Sequence, residues 1–492
     1  MLTHMRLESN NMETSIQYSP SLEDISKIKI KEKYDLFIDG EYIPTEEYFD
    51  SINPSNGELL TKFALSRDMD IDHAFKAATR AQKSWALLPT HERGRYLHHL
   101  ARLIQEKSKE LAIIETLDNG KPIKLSRDID IPLAAQHFFH YAGYATNLNT
   151  LLPNSEPLGV VAAVIPWNFP LLMLAWKIAP ALAAGNTIVL KPAETTSLSA
   201  LYFTELVREA GIPKGVINIL TGDGVIGEKI FSHKLAKKLT FTGSTKVGKS
   251  VALIGLKRNL PTTLELGGKG ANIVFADAPI DEAIEGVING IFFNQGHVCC
   301  AGSRLLVEES IAEEFVEKIK NRLTTIITGN PLDKNTDMGA INSAKQFDNI
   351  TKILSLAENE GVEIVSGKIT EHKNGYYIPP TLCLYPEATS ELIKNEIFGP
   401  VLTVQTFRTP QEAVSKANNT SYGLSAGIWS SDLSLINSLT KNLHAGTIWV
   451  NTFNKFHPSA PFGGYKESGF GRESGIESLR SYVKERYNDK NL

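Results

Sequence analysis

The stretch Val160-Val161-Ala162-Ala163-Val164-Ile165-Pro166-Trp167-Asn168-Phe169-Pro170, followed a helix-length later by Gly185-Asn186-Thr187-Ile188-Val189-Leu190-Lys191-Pro192, decides the fold. Each half carries a short continuous apolar run that stops at proline, which reads as a buried strand. Between them the segment from Pro170 has helical character and closes at Gly185, a residue that tolerates the left-handed turn at a helix end. The sequence therefore reads as strand 158–165, helix, strand 186–190. The alternation continues with strands 216–220, 238–241 and 272–276, and with a helix over 197–210 closed by Gly211 and Pro213. Strands alternating with helices imply parallel βαβ units, and so an α/β fold with a Rossmann-type, doubly wound sheet.

A second α/β series follows Gly267. Helices are expected near 281–293, 310–327, 343–360 and 431–443, and strands near 303–308, 400–406, 424–429 and 446–451. Upstream, 70–118 is helical by pattern, while Leu36-Phe37-Ile38-Asp39-Gly40-Glu41-Tyr42-Ile43 places an Asp-Gly turn between two short apolar pieces, a hairpin signal. The start of the chain, 1–33, is mostly polar, lacks the apolar core of a signal peptide and reads as a loose tail.

At 492 residues and 42% hydrophobic content, the chain has room for two or three domains with substantial cores. A formal net charge of −4, with Lys and Arg scattered, gives no footprint for nucleic acid or an anionic membrane. No segment offers the ~18 uninterrupted apolar residues of a membrane span. Small molecules are the expected partners. The cysteines are Cys299, Cys300 and Cys383, a sparse and odd set that argues against a disulfide framework and for the reducing cytoplasm. No metal site is expected.

Three stretches carry candidate chemistry. Phe292-Phe293-Asn294-Gln295-Gly296-His297-Val298-Cys299-Cys300-Ala301-Gly302-Ser303 sets a thiol in a Gly-flanked polar loop, as a nucleophile would be set. Glu265, upstream of Cys299, opens Glu265-Leu266-Gly267-Gly268-Lys269 and supplies a candidate base beside two glycines that admit close backbone approach. Pro166-Trp167-Asn168-Phe169-Pro170 is a rigid turn presenting an amide that can donate to an oxyanion. Taken singly, each has a plainer reading: a buried cysteine, a carboxylate at a strand end, a turn asparagine.

Together the three stretches resemble the aldehyde dehydrogenase superfamily, of the NAD-dependent, hydrolytic type, over nearly the whole chain from Asp35 to about Tyr482. The resemblance implies an NAD-binding domain from residues 34–143 and 159–266, and a catalytic domain over 267–470. It also implies oligomerisation or bridging segments at 144–158 and 471–492, behind a polar tail at 1–33. It makes Cys299 the nucleophile toward an aldehyde and Cys300 a packing neighbour. Asn168 and the Cys299 N–H stabilise the oxyanion, hydride leaves to NAD, and Glu265 activates the water that releases a carboxylic acid from the thioester. A free thiol has a pKa of about 8.5, so the surroundings must help it ionise.

For the cofactor, Lys191 and Glu194 would hold the adenosine ribose, and the carboxylate would repel a 2′-phosphate, favouring NAD over NADP. The run Phe241-Thr242-Gly243-Ser244-Thr245-Lys246-Val247-Gly248, where a strand ends and a helix begins, would face the pyrophosphate. Glu396 would hold the nicotinamide ribose with Phe398 against the ring, and Gln346 would touch the adenosine side. Ile165, Trp167, Gly224, Val247 and Leu266 complete the expected cofactor set. Phe169, Met173 and Trp176 fall at i, i+4 and i+7, and with Phe293, Phe453, Phe456 and Phe462 they would form an apolar substrate funnel; the same stripe fits a plain core. Lys455 and His457 lie close to it in sequence.

Where the family usually has Gln or Glu after the glycine of the cysteine loop, this chain has His297, which bears on hydration or charge at the mouth of the site. The segment Tyr144 to Gly159 is an abbreviated form of the family's subunit-joining hairpin, and the last strand near Ser481 to Asn488 is short. A homodimer is expected, with a tetramer as the alternative. Two rival functions fit parts of the sequence. One is a CoA-acylating aldehyde dehydrogenase. The other is a P-loop nucleotide hydrolase, because Gly243-Ser244-Thr245-Lys246-Val247-Gly248-Lys249-Ser250 fits a Walker A pattern and Asp277 ends an apolar strand.

Overall fold

The strand read at 158–165 forms at Val160–Val164 and is the pivot of an eight-stranded sheet in the computed structural model, which describes residues 18–19, 21–370 and 374–486. Its parallel neighbours are Thr187–Lys191 on one side and Lys238–Thr242 on the other. Ile217–Ile219 and Thr262–Glu265 extend the sheet outward, still in parallel. The chain winds one way, returns past its first strand and winds the other way. The topological switch point is therefore the C-terminal end of Val160–Val164, where the turn at 166–170 sits. Antiparallel strands cover both margins: Gly469–Phe470 at one, the hairpin Leu36–Ile38 with Glu41–Ile43 at the other. Asp39 and Gly40 both take positive φ, 53° and 78°, as a two-residue hairpin turn of this hand requires.

The second sheet has seven strands, in the order Glu363–Ser366, Thr381–Leu384, Val401–Phe407, Arg304–Glu308, Ala271–Val274, Ser425–Trp429 and Thr447–Val450. All pairs are parallel except the first. Only the short link 266–270 separates Thr262–Glu265 in the first sheet from Ala271–Val274 in the second. The C-terminal edge of one sheet is thus tied directly to the N-terminal edge of the other. Helix Pro170–Ala183 is buried along its entire length, consistent with a sequence that is apolar on every face.

Two segments differ from the sequence reading. Residues 21–33, read as a loose tail, are fastened to the body: the Glu23 N–H donates to Leu332 O (2.9 Å), the Lys334 N–H to Ser21 O (2.8 Å), and Glu23 pairs with Lys109 (3.0 Å). The rest of that tail, residues 1–17 and 20, and the end of the last segment, 487–492, lie outside the described residues. The short Ser155–Pro157 pairs antiparallel with Val483–Glu485, so the two stretches read as bridging segments meet in one ribbon. Among the described residues no helix is long and apolar enough to cross a membrane, and no group of His, Cys, Asp and Glu is placed to hold a metal ion.

Candidate active site

A cavity of about 540 Å³ lies between the two sheet edges. From the first sheet it receives Trp167, Asn168 and Phe169 after Val160–Val164, Thr242 to Ser244 after Lys238–Thr242, and Glu265 with Leu266 and Gly267. From the second it receives Val298 to Cys300 and Glu396 to Phe398, each ahead of a strand. Cys299, Glu265 and Asn168, far apart in the chain, thus share one cavity.

The cysteine loop is held in a conformation most residues avoid. After helix Ile280–Phe292, Asn294, Gln295 and Gly296 take φ of 50°, 54° and 72°, and a Cβ on Gly296 would collide with the Gly399 backbone. Phe398, before Gly399, also has positive φ (54°). Left-handed backbone in non-glycine residues costs energy and persists where neighbours over-determine it. The glycines after Glu265 have a matching cause. A Cβ on Gly268 would run into the Cys299 carbonyl oxygen, and one on Gly267 into the Glu396 carboxylate.

Cys299 is half-buried, and nothing among the described residues accepts its main-chain N–H, which is thus available as an oxyanion donor. The Cys300 thiol beside it, burial and the Glu396 carboxylate push the Cys299 thiol well above its ordinary range. Glu265 is buried, with no hydrogen-bond partner for either carboxylate oxygen. Burial, then Glu473, raise its pKa well above the usual carboxyl value, while Lys177 opposes them. Lys177 and Glu473 form their own buried pair at 2.5 Å behind the site. A carboxyl so placed holds a proton more tightly than an exposed one and, with no protein partner, is free to exchange it with a water or thiol in the cavity. The Asn168 side-chain amide donates to His297 O at 2.8 Å, tying the turn to the cysteine loop.

The remaining cofactor candidates lie along the C-terminal edge of the first sheet, except Glu396, which faces that edge from the second. Lys191 ends its strand and is buried, with Nζ 2.8 Å from Pro192 O and 3.8 Å from the exposed Glu194 carboxylate. Ile165 and Phe241 are buried and Val247 is exposed. Gly224 opens helix Gly224–Ser232, and a Cβ there would meet only open space. The Asp223 carboxylate already accepts two N–H groups of that helix, which disfavours an anion there. Helix Thr245–Arg258 carries no acid in its first turn, and its cap Ser244 lines the cavity. Thr242 Oγ1 is buried there without a partner. Glu396 is raised to about 7 by burial, against the Gly268 N–H at 3.0 Å and Lys269, and presents an acceptor to the cavity. The chemistry of this set suits a dinucleotide: an anion-compatible helix start, the Glu194 and Glu396 carboxylates as hydroxyl acceptors and the orphan Thr242 hydroxyl.

The other candidates differ in their surroundings. His297 is fully buried rather than at the mouth; its ring meets Trp167 edge-on (4.7 Å) and stacks on Phe398 (5.9 Å), and burial pushes its pKa down to about 3. Gln346 uses its amide N–H groups on Ile397 O and Phe398 O, fastening that loop, while still lining the cavity. Phe169, Met173, Trp176, Phe293, Phe456 and Phe462 all line the cavity, whereas Phe453 is core, packed on Trp449 at 4.7 Å. Lys455 and His457 are exposed and do not line it. The P-loop reading fails on geometry. Lys249 points outward to Glu467 (2.7 Å), and Asp277 belongs to the far end of the second sheet, accepting from Ser430, Ser431 and Asp432.

The cavity also contains residues the sequence reading passes over. Leu172 completes the 169/173/176 stripe, Leu133 comes from a helix absent from that reading, and Asn349, Ile353 and Leu356 share one face of helix Ala344–Asn359 with Gln346. The last group is legible as an i, i+3, i+7, i+10 stripe.

The model of the Aldehyde dehydrogenase family matches residues 42–487. A relative from Bacillus subtilis (strain 168), DhaS, provisionally assigned as an aldehyde dehydrogenase, is 42% identical over 463 residues, spanning 91% of this chain and 94% of its own. The NAD+ complex of an aldehyde dehydrogenase from Bacillus cereus superposes with a TM-score of 0.89 at 38% identity, covering 93% of this chain and 98% of the other. A mutant of the indole-3-acetaldehyde dehydrogenase AldA from P. syringae, in complex with NAD+ and IAA, does so with 0.89 at 38%, covering 93% and 96%.

Proposed function

Because the chain belongs to the aldehyde dehydrogenase family and is an enzyme that oxidises an aldehyde with NAD, we propose that Cys299 is its nucleophile, Glu265 its general base and Asn168 its oxyanion donor. The observation that carries this reading is the convergence of the three on one cavity at the switch point of the Rossmann-type sheet. Cys299 Sγ forms a bond to the aldehyde carbon as its proton passes to a base, and the carbonyl oxygen gains charge between the Asn168 amide and the Cys299 N–H. NAD, when bound, accepts the hydride that leaves this carbon. Glu265, free of protein partners, then takes a proton from water, which displaces Cys299 Sγ from the thioester and yields the carboxylic acid.

Most strands of the first sheet come from 34–143 and 159–266 and all seven of the second from 267–470, which supports that domain division although Gly469–Phe470 pairs with the first sheet, and the 155–157/483–485 ribbon supports a subunit-joining role in a homodimer. The three unpaired cysteines support a cytoplasmic setting. At the substrate end, Trp176 and Phe456 lie 5.5 and 5.8 Å from Phe462, and Phe169 lies 6.1 Å from Phe293. That aromatic lining, and the likeness to an indole-3-acetaldehyde dehydrogenase, support an aldehyde with an apolar or aromatic body. NADH absorbance with aliphatic, aromatic, amino and carboxylated aldehydes, with NAD or NADP and without CoA, tests the reading. Turnover on apolar aldehydes with NAD alone is expected; turnover that required CoA would overturn the hydrolytic assignment.

A further inference from the structure

Beneath the turn at 166–170 lies a group of charges that the chemistry above does not use. Glu115, Lys121 and Asp130 are each fully buried. Lys121 Nζ lies 2.5 Å from Asp130 Oδ2 and 3.6 Å from Glu115 Oε1, and it sits 4.4 Å from the centre of the Phe169 ring. Its third polar contact is the one that bears on function: Nζ donates to the main-chain carbonyl of Asn168 at 2.7 Å. The same carbonyl accepts from Asn294 Nδ2 at 2.9 Å, and the Leu171 N–H donates to Glu115 Oε2 at 3.1 Å. The turn is therefore held at Asn168 and again at Leu171.

The local backbone delivers these groups to one place. Helix Ser108–Asn119 carries Glu115 and ends at Gly120, whose φ of 90° reverses the chain and drops Lys121 under the turn. Asp130 closes a π-helical turn over Ser126–Asp130, an irregularity frequent at functional sites. Burying an ion cluster is a poor route to stability, since well-packed apolar residues of the same volume do as well or better. What it supplies is direction: an ammonium held by two carboxyl groups can address one carbonyl and no other. Burial pushes the Glu115 carboxyl well above its ordinary range, with Lys121 pulling it down and Asp130 raising it.

We propose that Lys121, locked by Asp130 and Glu115, is a positioning residue that fixes the Asn168 backbone and thereby aims the Asn168 amide at the oxyanion. The proposal rests on the oxyanion role of Asn168 given above. The test is a double-mutant cycle on the pre-steady-state NADH burst, using Lys121→Met, Asn168→Ala and the double variant, with NAD affinity measured by fluorescence and folding by thermal melts. Lys121→Met is expected to slow the burst by about 100-fold, the scale of a small misplacement of a catalytic group, with NAD affinity unchanged. The double variant should be no slower than Asn168→Ala alone, because without the amide there is nothing left to aim. A wild-type burst in Lys121→Met, or losses that multiply in the double variant, would overturn the proposal. A normal burst in Asn168→Ala is a separate result that removes the oxyanion reading itself and this proposal with it. Should Lys121→Met not fold, Asp130→Asn, which keeps the shape but frees Lys121, takes its place in the cycle with the same expected and contrary outcomes.

Discussion

The Asn168 amide nitrogen lies 2.8 Å from the carbonyl oxygen of His297, so the candidate oxyanion donor on one sheet is bonded to the residue two positions before Cys299 on the other. His297 thereby links the two halves of the site, through its main chain to Asn168 and through its ring to Trp167 and Phe398.

The buried His297 ring should make the protein acid-sensitive. Its pKa is depressed to about 3 in the fold and returns to its ordinary value of about 6.5 on unfolding, so the unfolded chain binds the extra proton. Stability from this residue is complete above about pH 6.5 and declines as the pH falls toward 3, by about 2 kcal/mol at pH 5. Urea melts of wild type and His297→Phe at pH 8 and pH 5 check this. The variant should lose less stability than wild type between the two, by that same amount; equal losses would show that the ring takes up a proton in the folded state.

Glu265 separates the two stages of the reaction. Its pKa is raised, so the base form grows as pH increases, and steady-state turnover should rise with pH. Glu265→Gln should still give a first-turnover burst of NADH and then stall as an acyl-enzyme, with steady-state turnover down ~100- to 10,000-fold. Rapid mixing followed by intact-mass measurement reads both. Undiminished turnover in the variant would remove Glu265 from the reaction.

Cofactor choice should follow Glu194, which stands exposed at the end of the Thr187–Lys191 strand, 3.8 Å from Lys191. Removing its charge removes the repulsion of a 2′-phosphate. Glu194→Ser should raise KM for NAD and lower KM for NADP, and an unchanged ratio of kcat/KM for the two would place the ribose elsewhere.

The legible parts of this fold are those in which one segment decides its own structure. Val160–Val164 and Thr187–Lys191 are buried on both faces and announce themselves as continuous apolar runs. Glu363–Ser366 and Thr381–Leu384 escape a reading of the sequence, because four-residue strands with a threonine or a charged residue owe their conformation to the neighbour they pair with. The site divides the same way. Cys299, Glu265 and Asn168 can be named from their motifs, since a glycine or proline beside each records a local backbone demand. The burial of His297, the loop-fastening role of Gln346 and the grip of Lys121 on Asn168 depend on contacts between segments distant in sequence, which no local pattern records.

All of the proposed chemistry begins with Cys299, and not its neighbour Cys300, forming the bond to the aldehyde. Cys299 lines the cavity from a half-buried position while Cys300 is buried, its Sγ 3.9 Å from Asn454 Oδ1. Intact-mass measurement after rapid mixing with NAD and aldehyde, on wild type, Cys299→Ala and Cys300→Ala, distinguishes the two thiols. An acyl adduct and NADH are expected in wild type and in Cys300→Ala, and neither in Cys299→Ala, which should still bind NAD. An adduct with full NADH formation in Cys299→Ala would show that another residue is the nucleophile.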